Sequence, residues 1–482
     1  MSPSRSGAIL FCTQEFLLFT LAIFAVYWLL PYRTAKVYWL LGASFYFYAT
    51  WNEELALVVA GSSTADYLIA RGLDRFPSRR WRQVLLAISL GGNLALLAYF
   101  KYSNFFIESF RQMLAGAGLE TSGGALDIVL PIGISFYTFE AISYTMDVYR
   151  RRIPAERSLA NFMLFITFFP HMVAGPIVRA RAFLPQMRRP KKLNWYRLQV
   201  AFGYLVLGLI KKMAISDRMA MIADPVFADP GAFGSGAVWG AILAYSIQIY
   251  CDFSGYSDLA MAVAHLFGYT LTFNFDMPYS SANVAEFWRR WHISLSSWLR
   301  DYLFIPLGGS RGGGWQTSRN LMITMALGGL WHGASWNFII WGIAHGAFLI
   351  VHRLFRVACQ RRPELEFLLR SHLGTIYRIG LTFACVSLAW VLFRAPDLQT
   401  ASTIYSRAFA FEAGSPLTQP VEILAILSSA VILAHLAGRS GLRKYLYETI
   451  PSPIVGIAWT AAAIVAMALA PDAGKAFIYF QF

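Results

Sequence analysis

The sequence predicts an all-α, polytopic membrane protein, and three observations carry that prediction. The chain of 482 residues is 57% hydrophobic and only 14% charged, with a mean hydropathy of +0.49. Soluble domains carry about 25% charged residues. Apolar stretches of roughly twenty residues recur, the length an α-helix needs to cross a hydrocarbon layer about 30 Å thick. Aromatics reach 16%, with 15 Trp, as expected where rings sit at lipid–water boundaries. A helix bundle in lipid is one body, so residues 1–482 read as a single integral-membrane domain. The expected build is about ten transmembrane spans plus re-entrant and interfacial helices.

The elements run in order along the chain. Ile9 to Leu30 is too long for a signal peptide. Only Arg5 precedes it, and Pro31-Tyr32-Arg33 comes after it in place of a cleavage site, so it reads as a retained first span. Spans near 36–50, 54–70, 83–102 and 127–148 come next. The loops between them carry Arg71, Arg75, Arg79, Arg80 and Arg82, then Arg150, Arg151, Arg152 and Arg157. Such clusters stay on the cytoplasmic side. The net charge of +15 is therefore a topology signal, and no nucleic-acid partner is expected. The segment 159–175 has basic loops on both sides and holds Pro170. A full crossing would put the next basic cluster outside, so a re-entrant segment is expected, buried in protein or facing a wet cavity.

Spans near 198–222 and 237–267 come after it. The second reads IYCDFSGYSDLAMAVAHLF and holds Asp252, Asp258 and His265. Gly255 with Ser254 and Ser257 suggests capped half-helices there. The acids are read as structural, with a polar substrate path as the alternative. EFWRRWHISLSSWLRDYLFIPLGG then places Trp288, Trp291, Leu295, Trp298, Tyr302 and Ile305 on one stripe. It is expected to lie as an interfacial helix ended by Pro306 to Gly309. His292 sits at the stripe's edge, where a solvated or lipid-facing residue is the plain reading.

Arg319 to Arg353 reads RNLMITMALGGLWHGASWNFIIWGIAHGAFLIVHR. Charge parity puts both ends inside, so a bent or broken helix with WHGASWN deepest is suggested, with one long tilted span as the alternative. His332 lies about 20 Å along the helix from Arg319. An ionisable group at that depth is a functional-site hypothesis by default, and a hydrogen-bonded core histidine is the competing reading. Spans near 374–393, 421–437 and 454–470 finish the chain, with both termini outward. The aromatic tail Phe477 to Phe482 is a candidate outward docking element. The 4 Cys are scattered, so neither a disulfide framework nor a metal site is expected.

Six stretches together resemble the membrane-bound O-acyltransferase superfamily, most closely its bacterial branch typified by alginate O-acetyltransferase. They are LPIGISFYTFEAISYTMDVYRR (from Leu130), FFPHMVAGPIVR (from Phe168), YCDFSGYSDLA (from Tyr250), EFWRRWHISLSSWLRDYLFIPLGGSRGG (from Glu286), GGLWHGASWNFIIWGIAHG (from Gly328) and the terminal FIYFQF. The densest likeness covers 130–346. The resemblance implies a funnel-shaped helical bundle with a tunnel joining the two membrane faces. It implies His332 as the essential intramembrane histidine and His292 as the second catalytic position. It further implies residence in the bacterial inner membrane, acetyl-CoA as donor substrate with no bound cofactor, and periplasmic partner proteins of an exopolysaccharide machinery, beside membrane lipids.

Residue chemistry agrees with that implication. A hydroxyl attacking a thioester needs a base, and imidazole suits the task at neutral pH. The tetrahedral oxyanion needs donors; backbone N–H groups at the glycine-rich bend, Asn337, Trp331 or His292 are the candidates. Arg289, Arg290, Arg300 and Arg311 are candidates for the donor's phosphates, with positive-inside topology or anionic-lipid contact as the plain reading. Direct transfer and a brief acyl-enzyme both fit. D-alanyl or other acyl transfer to teichoic acid or another cell-wall glycan is the alternative activity. A polysaccharide export component is the non-enzyme alternative.

Overall fold

A computed structural model describes residues 11–119, 124–172, 175–440, 449–470 and 477–478. Among these residues the chain is built of helices, with no strand and one isolated bridge between Phe233 and Ser415. Among the described residues five helices are long and apolar enough to cross a membrane: Arg79–Gly116, Trp195–Ala228, Trp336–Gln360, His372–Arg394 and Val421–Arg439. That is the make-up of a multi-pass membrane protein. The chain divides into two compact units, Met1–Leu205 with Ser257–Thr272, and Val206–Tyr256 with Phe273–Phe482.

The first unit opens with α1 (Gln14–Leu29), α2 (Arg33–Ala49), α3 (Glu53–Arg75) and α4 (Arg79–Leu97). Thr13 and Asn52 cap α1 and α3 by accepting from the N–H groups of Phe16 and Leu55, which satisfies donors that a helix start leaves orphaned. α4 continues through a π turn, Ala98–Tyr102, into α5 (Ser103–Gly116). The span expected from 127 begins later, as α6 (Ile134–Tyr149). Pro131 has no N–H to give, and Gly133 takes φ +71, so the helix cannot extend backwards through them.

The segment read as re-entrant is α7 (Leu159–Thr167) and then α8 (Phe169–Met172). At 1.5 Å per residue α7 rises only about 14 Å, roughly half a crossing. Phe162, Phe165, Phe168 and Phe169 are fully buried, the condition under which broken backbone is tolerated at depth. Glu140 of α6 anchors the chain on the far side of α8. It accepts from the Val178 N–H at 2.7 Å and faces His171 Nε2 at 3.3 Å. α9 (Ala180–Arg188) then closes this stretch.

α10 (Trp195–Leu209) leads into the second unit through a π turn, Ile210–Ser216, and α11 (Asp217–Ala228). The turn carries Lys212, whose Nζ lies 2.9 Å from Asp217 and 2.7 Å from Asp252. The half-helices expected around Gly255 are absent, because α12 (Ser235–Leu266) runs unbroken for 32 residues. Gly255 serves close approach instead. A Cβ there would stand 3.0 Å from both the Gly208 carbonyl oxygen and Lys211 Cβ, so a larger residue would press the neighbouring segment away by a few tenths of an ångström.

The expected interfacial helix is also corrected. It is two short helices, α13 (Val284–Arg290) and α14 (Ile293–Leu299), broken at His292 with φ +42. Most of its stripe faces protein: Trp291 is 1% exposed, Leu295 0%, and Trp288 and Trp298 are buried, while Ile305 at its end is exposed. The break has a local cause. Asn274 takes the Ile293 N–H on its backbone oxygen at 3.0 Å and the Ser294 N–H on its side chain at 3.1 Å, so neither can bond back into α13.

α15 (Gly314–His332) and α16 (Trp336–Gln360) are the two arms of the broken helix, separated by Gly333 to Ser335. The single tilted span is therefore excluded. The arms meet at backbone distance. A Cβ on Gly329 would overlap the Phe338 carbonyl oxygen, and one on Gly342 the Met325 carbonyl oxygen. α17 (Pro363–Arg370) and α18 (His372–Arg394) come next, then α19 (Leu398–Ala410), α20 (Val421–Arg439) and a last helix, Ser452–Ala468. The start of the aromatic tail is not an outward surface. Phe477 and Ile478 are 3% and 2% exposed, Phe477 stacks on Tyr256 at 4.2 Å, and the Ile478 N–H bonds Asp252 at 2.7 Å. Residues 479–482 and the basic residues within 441–448 lie outside the described residues.

Candidate active site

α15 stops at His332 because the next residue, Gly333, is extended at φ −161, and a Cβ there would collide with the Phe338 ring. His332 is buried. Its imidazole is boxed by edge-to-face rings: Trp331 at 5.0 Å, Trp341 of α16 at 5.1 Å and Phe393 of α18 at 5.2 Å between centroids. The second imidazole, His292, stands 6.3 Å away. The break between α13 and α14 thus delivers one histidine and the break between α15 and α16 the other.

The His292 environment assigns its tautomer. The side-chain oxygen of Asn274 receives the backbone N–H of Ser294 at 3.1 Å and the Ser294 hydroxyl at 2.9 Å. A backbone N–H only donates, so the atom facing it is the amide oxygen. His292 Nδ1 lies 3.2 Å from that same oxygen and must donate to it. In the neutral ring this leaves Nε2 with the lone pair. Nε2 is buried and has no protein partner among the described residues. Phe253 meets the ring edge-on at 4.6 Å, which holds its plane.

The other sequence-derived candidates separate. Trp331 lies beside both rings, 5.0 Å from His332 and 6.1 Å from His292. The Asn337 amide donates to the Ala395 carbonyl at 2.9 Å, so it ties the start of α16 to the end of α18. Arg290 is held by Asp276 at 2.7 Å and Glu286 at 3.0 Å, and Arg300 by Asp301 at 2.8 Å. Arg311 is exposed in the loop before α15. Arg289 is exposed and lines a separate basic cavity.

Four residues at the site carry no motif that would single them out. Asn274 is in a plain loop after α12. Trp341 sits in one of the family-like blocks but reads as an interfacial or core ring. Its Nε1–H is buried with no partner among the described residues, which leaves a donor beside His332. Phe393 is remote in the chain, and only folding brings it to His332. His345 forms an outer layer: its Nδ1 accepts from Trp288 Nε1–H at 3.3 Å, and its ring packs on Trp341 at 4.8 Å.

Buried, paired imidazoles with a tautomer-fixing amide and an unpaired indole donor suit proton transfer to and from a reacting oxygen. Comparison with known proteins gives this arrangement a family. A family model described as MBOAT, membrane-bound O-acyltransferase family, matches residues 17–388. The "Probable alginate O-acetylase AlgI" of Pseudomonas putida is 36% identical over 504 residues, covering 98% of this chain and 100% of that protein. The "Peptidoglycan O-acetyltransferase" of Helicobacter pylori is 36% identical over 389 residues, 75% of this chain and 72% of its own. The "Teichoic acid D-alanyltransferase" of Streptococcus thermophilus is 32% identical over 268 residues, 52% of this chain and 63% of its own. With that model matching residues 17–388 and a relative 36% identical across 98% of its length, the chain belongs to the membrane-bound O-acyltransferase family.

Proposed function

We propose that this protein is an O-acetyltransferase of the bacterial inner membrane. It takes an acetyl group from acetyl-CoA at the cytoplasmic face and passes it towards hydroxyls of an exported polysaccharide such as alginate. The single observation that carries the reading is the pair His332 and His292, 6.3 Å apart between ring centroids and both buried, each at a break in helical backbone. The match over the whole chain to the alginate relative favours acetyl over D-alanyl transfer, whose relative covers 52% of this chain. The reading keeps about ten crossings in one domain as its expectation; the five long helices with the shorter Gln14–Leu29 and Ser452–Ala468 supply seven of them.

In this reading His332 removes the proton of the acceptor hydroxyl. The oxygen attacks the thioester carbonyl carbon, and the carbonyl electrons move onto oxygen. Trp341 Nε1–H is the donor available to that oxyanion. As the C–S bond breaks, the imidazolium returns its proton to the leaving thiolate, and ester and free thiol result. His332 is the last residue of α15, so the imidazolium forms at the negative end of a helix, where positive charge is favoured. With Nδ1–H committed to Asn274, His292 offers only an acceptor through Nε2, so it can hold a second, neighbouring O–H of the acceptor while His332 takes the reacting proton, and it is not an oxyanion donor. Periplasmic proteins of the exopolysaccharide machinery are the expected recipients or helpers on the far side.

The test is His332→Ala. Acetyl content of the secreted polymer falls to background while membrane level of the protein and polymer mass stay unchanged. Loss of polymer mass with acetyl content preserved would make the protein an export component instead. Full acetylation in the variant removes His332 from the chemistry.

A further inference from the structure

Within the second unit, α16, α17 and α18 border a cavity of about 590 Å³ that the acyl-transfer reading does not use. Arg289, Arg356, Arg378 and His352 stand at it. The arginines come from three elements, Arg289 from α13, Arg356 from α16 and Arg378 from α18, and line one cavity. Arg289 and Arg356 make no hydrogen bond or ion pair among the described residues. Arg378 gives one N–H to Thr375 at 3.3 Å, and its Nε is buried without a partner among those residues. The carboxylate at the cavity, Glu366, is already held by Arg370. Three guanidiniums at one cavity, none ion-paired among the described residues, form a planar-donor set matched to phosphate oxygens.

The remaining wall is apolar. Phe348, Val351 and Phe355 of α16 and Leu381 of α18 line it. Val351 is 63% exposed and Leu381 51%, so the cavity opens sideways onto the surface these spanning helices turn to lipid. α17 adds Phe367 and Leu368, 82% and 62% exposed, shortly after Arg361 and Arg362. Apolar side chains beside arginines in a short helix suit a membrane surface. The basic run Arg353 to Arg362 at the end of α16 marks the cytoplasmic side. A ligand fitting both walls carries phosphate at one end and hydrocarbon at the other.

We propose that this cavity seats the phosphate head group of an anionic phospholipid, with its chains along Val351, Phe355 and Leu381. Basic recesses between spanning helices on the cytoplasmic side suit such head groups. Inorganic phosphate or the phosphates of a soluble thioester donor share the anion chemistry, yet neither has a use for the lipid-facing apolar wall. The assignment is independent of the acyl-transfer reading.

The full-length protein, delipidated in detergent, is titrated with phosphatidylglycerol, phosphatidylcholine, inorganic phosphate and coenzyme A, and bound species are counted by native mass spectrometry. Phosphatidylglycerol is expected to bind at least tenfold more tightly than phosphatidylcholine. The triple variant R289Q/R356Q/R378Q is expected to lose at least tenfold in that affinity. Cys385, which lines the cavity, gives a measurement without charge removal. In a Cys12→Ser background its maleimide labelling slows with phosphatidylglycerol and not with coenzyme A or phosphate. Equal binding of the two lipids, unchanged affinity in the triple variant, or equal protection of Cys385 by a soluble phosphate each overturns the proposal. His332→Ala retains lipid binding, so the two readings fail separately.

Discussion

Replacing Asn274 by Leu removes the one acceptor that serves His292 and Ser294 together while keeping side-chain volume. Three donors converge on it: Ser294 Oγ at 2.9 Å, Ser294 N at 3.1 Å and His292 Nδ1 at 3.2 Å. The Ser294 hydroxyl can rotate, but the backbone N–H and the imidazole N–H cannot. Each buried donor left unpaired costs about 1–3 kcal/mol, so the local destabilisation is about 2–6 kcal/mol. The share falling on His292 frees its ring and its tautomer. A loss of about 1–3 kcal/mol at the reacting centre lowers turnover by roughly 5- to 150-fold. The assay is acetyl transfer in proteoliposomes, with detergent-solubilised thermal unfolding measured in parallel. His292→Ala supplies the second arm of a double-mutant cycle. In that background Asn274→Leu should cost little further activity, because its role runs through the ring it positions. Activity within twofold of wild type in the single variant, or full additivity in the double, would refute the positioning role.

The other predictions address different parts of the molecule. Trp341→Phe keeps a ring beside His332 but deletes the unpaired Nε1–H. If that group meets the oxyanion, turnover drops by about a hundredfold with little change in unfolding temperature, and a fall below twofold removes it from the site. Lys212→Met strips the shared cation from Asp217 and Asp252. Breaking a buried pair costs about 3–5 kcal/mol, so a large drop in thermal stability is expected, and a stability equal to wild type would show the triad to be dispensable.

Glu156 lies in the loop after α6, outside the spanning helices. Burial raises its carboxyl pKa, but Arg188 and the N–H groups of Ser158 and Arg157 outweigh this and hold it below the ordinary value. A depressed carboxyl pKa contributes stability that is full above the unfolded value and lost as pH falls through the folded one. Wild type should therefore exceed Glu156→Gln by a constant margin above about pH 5, the margin shrinking below about pH 4.3. A margin that stays constant down to pH 3 would refute the ion-pair account.

Much of this protein was legible along the chain because lipid imposes one-dimensional rules. Apolar length marks helices, and loop charge marks sidedness. Parity of the charges foretold that Leu159–Thr167 falls short of a crossing and that the helix around His332 is broken. Where those rules meet dense packing they mislead. Gly255 looked like a helix breaker and is a contact point. The stripe of Trp288, Trp291 and Leu295 looked lipid-facing and is sealed in protein, since periodicity reports that a face is apolar and not what covers it.

The sequence by itself determined the all-helical membrane class and the family, and it singled out the two histidines. These rest on composition, length and contiguous residue blocks, all local in the chain. The tertiary structure alone decided that His292 and His332 stand together, that Asn274 orients the first, and that Phe393 and Trp341 enclose the second. It also decided that Lys212 neutralises Asp252 and that Arg289 opens on a cavity away from the histidines. Each is a meeting of segments distant in the chain. Such meetings arise from how side chains interlock at backbone contacts like Gly329 with Phe338, and no spacing along a single strand of letters encodes them.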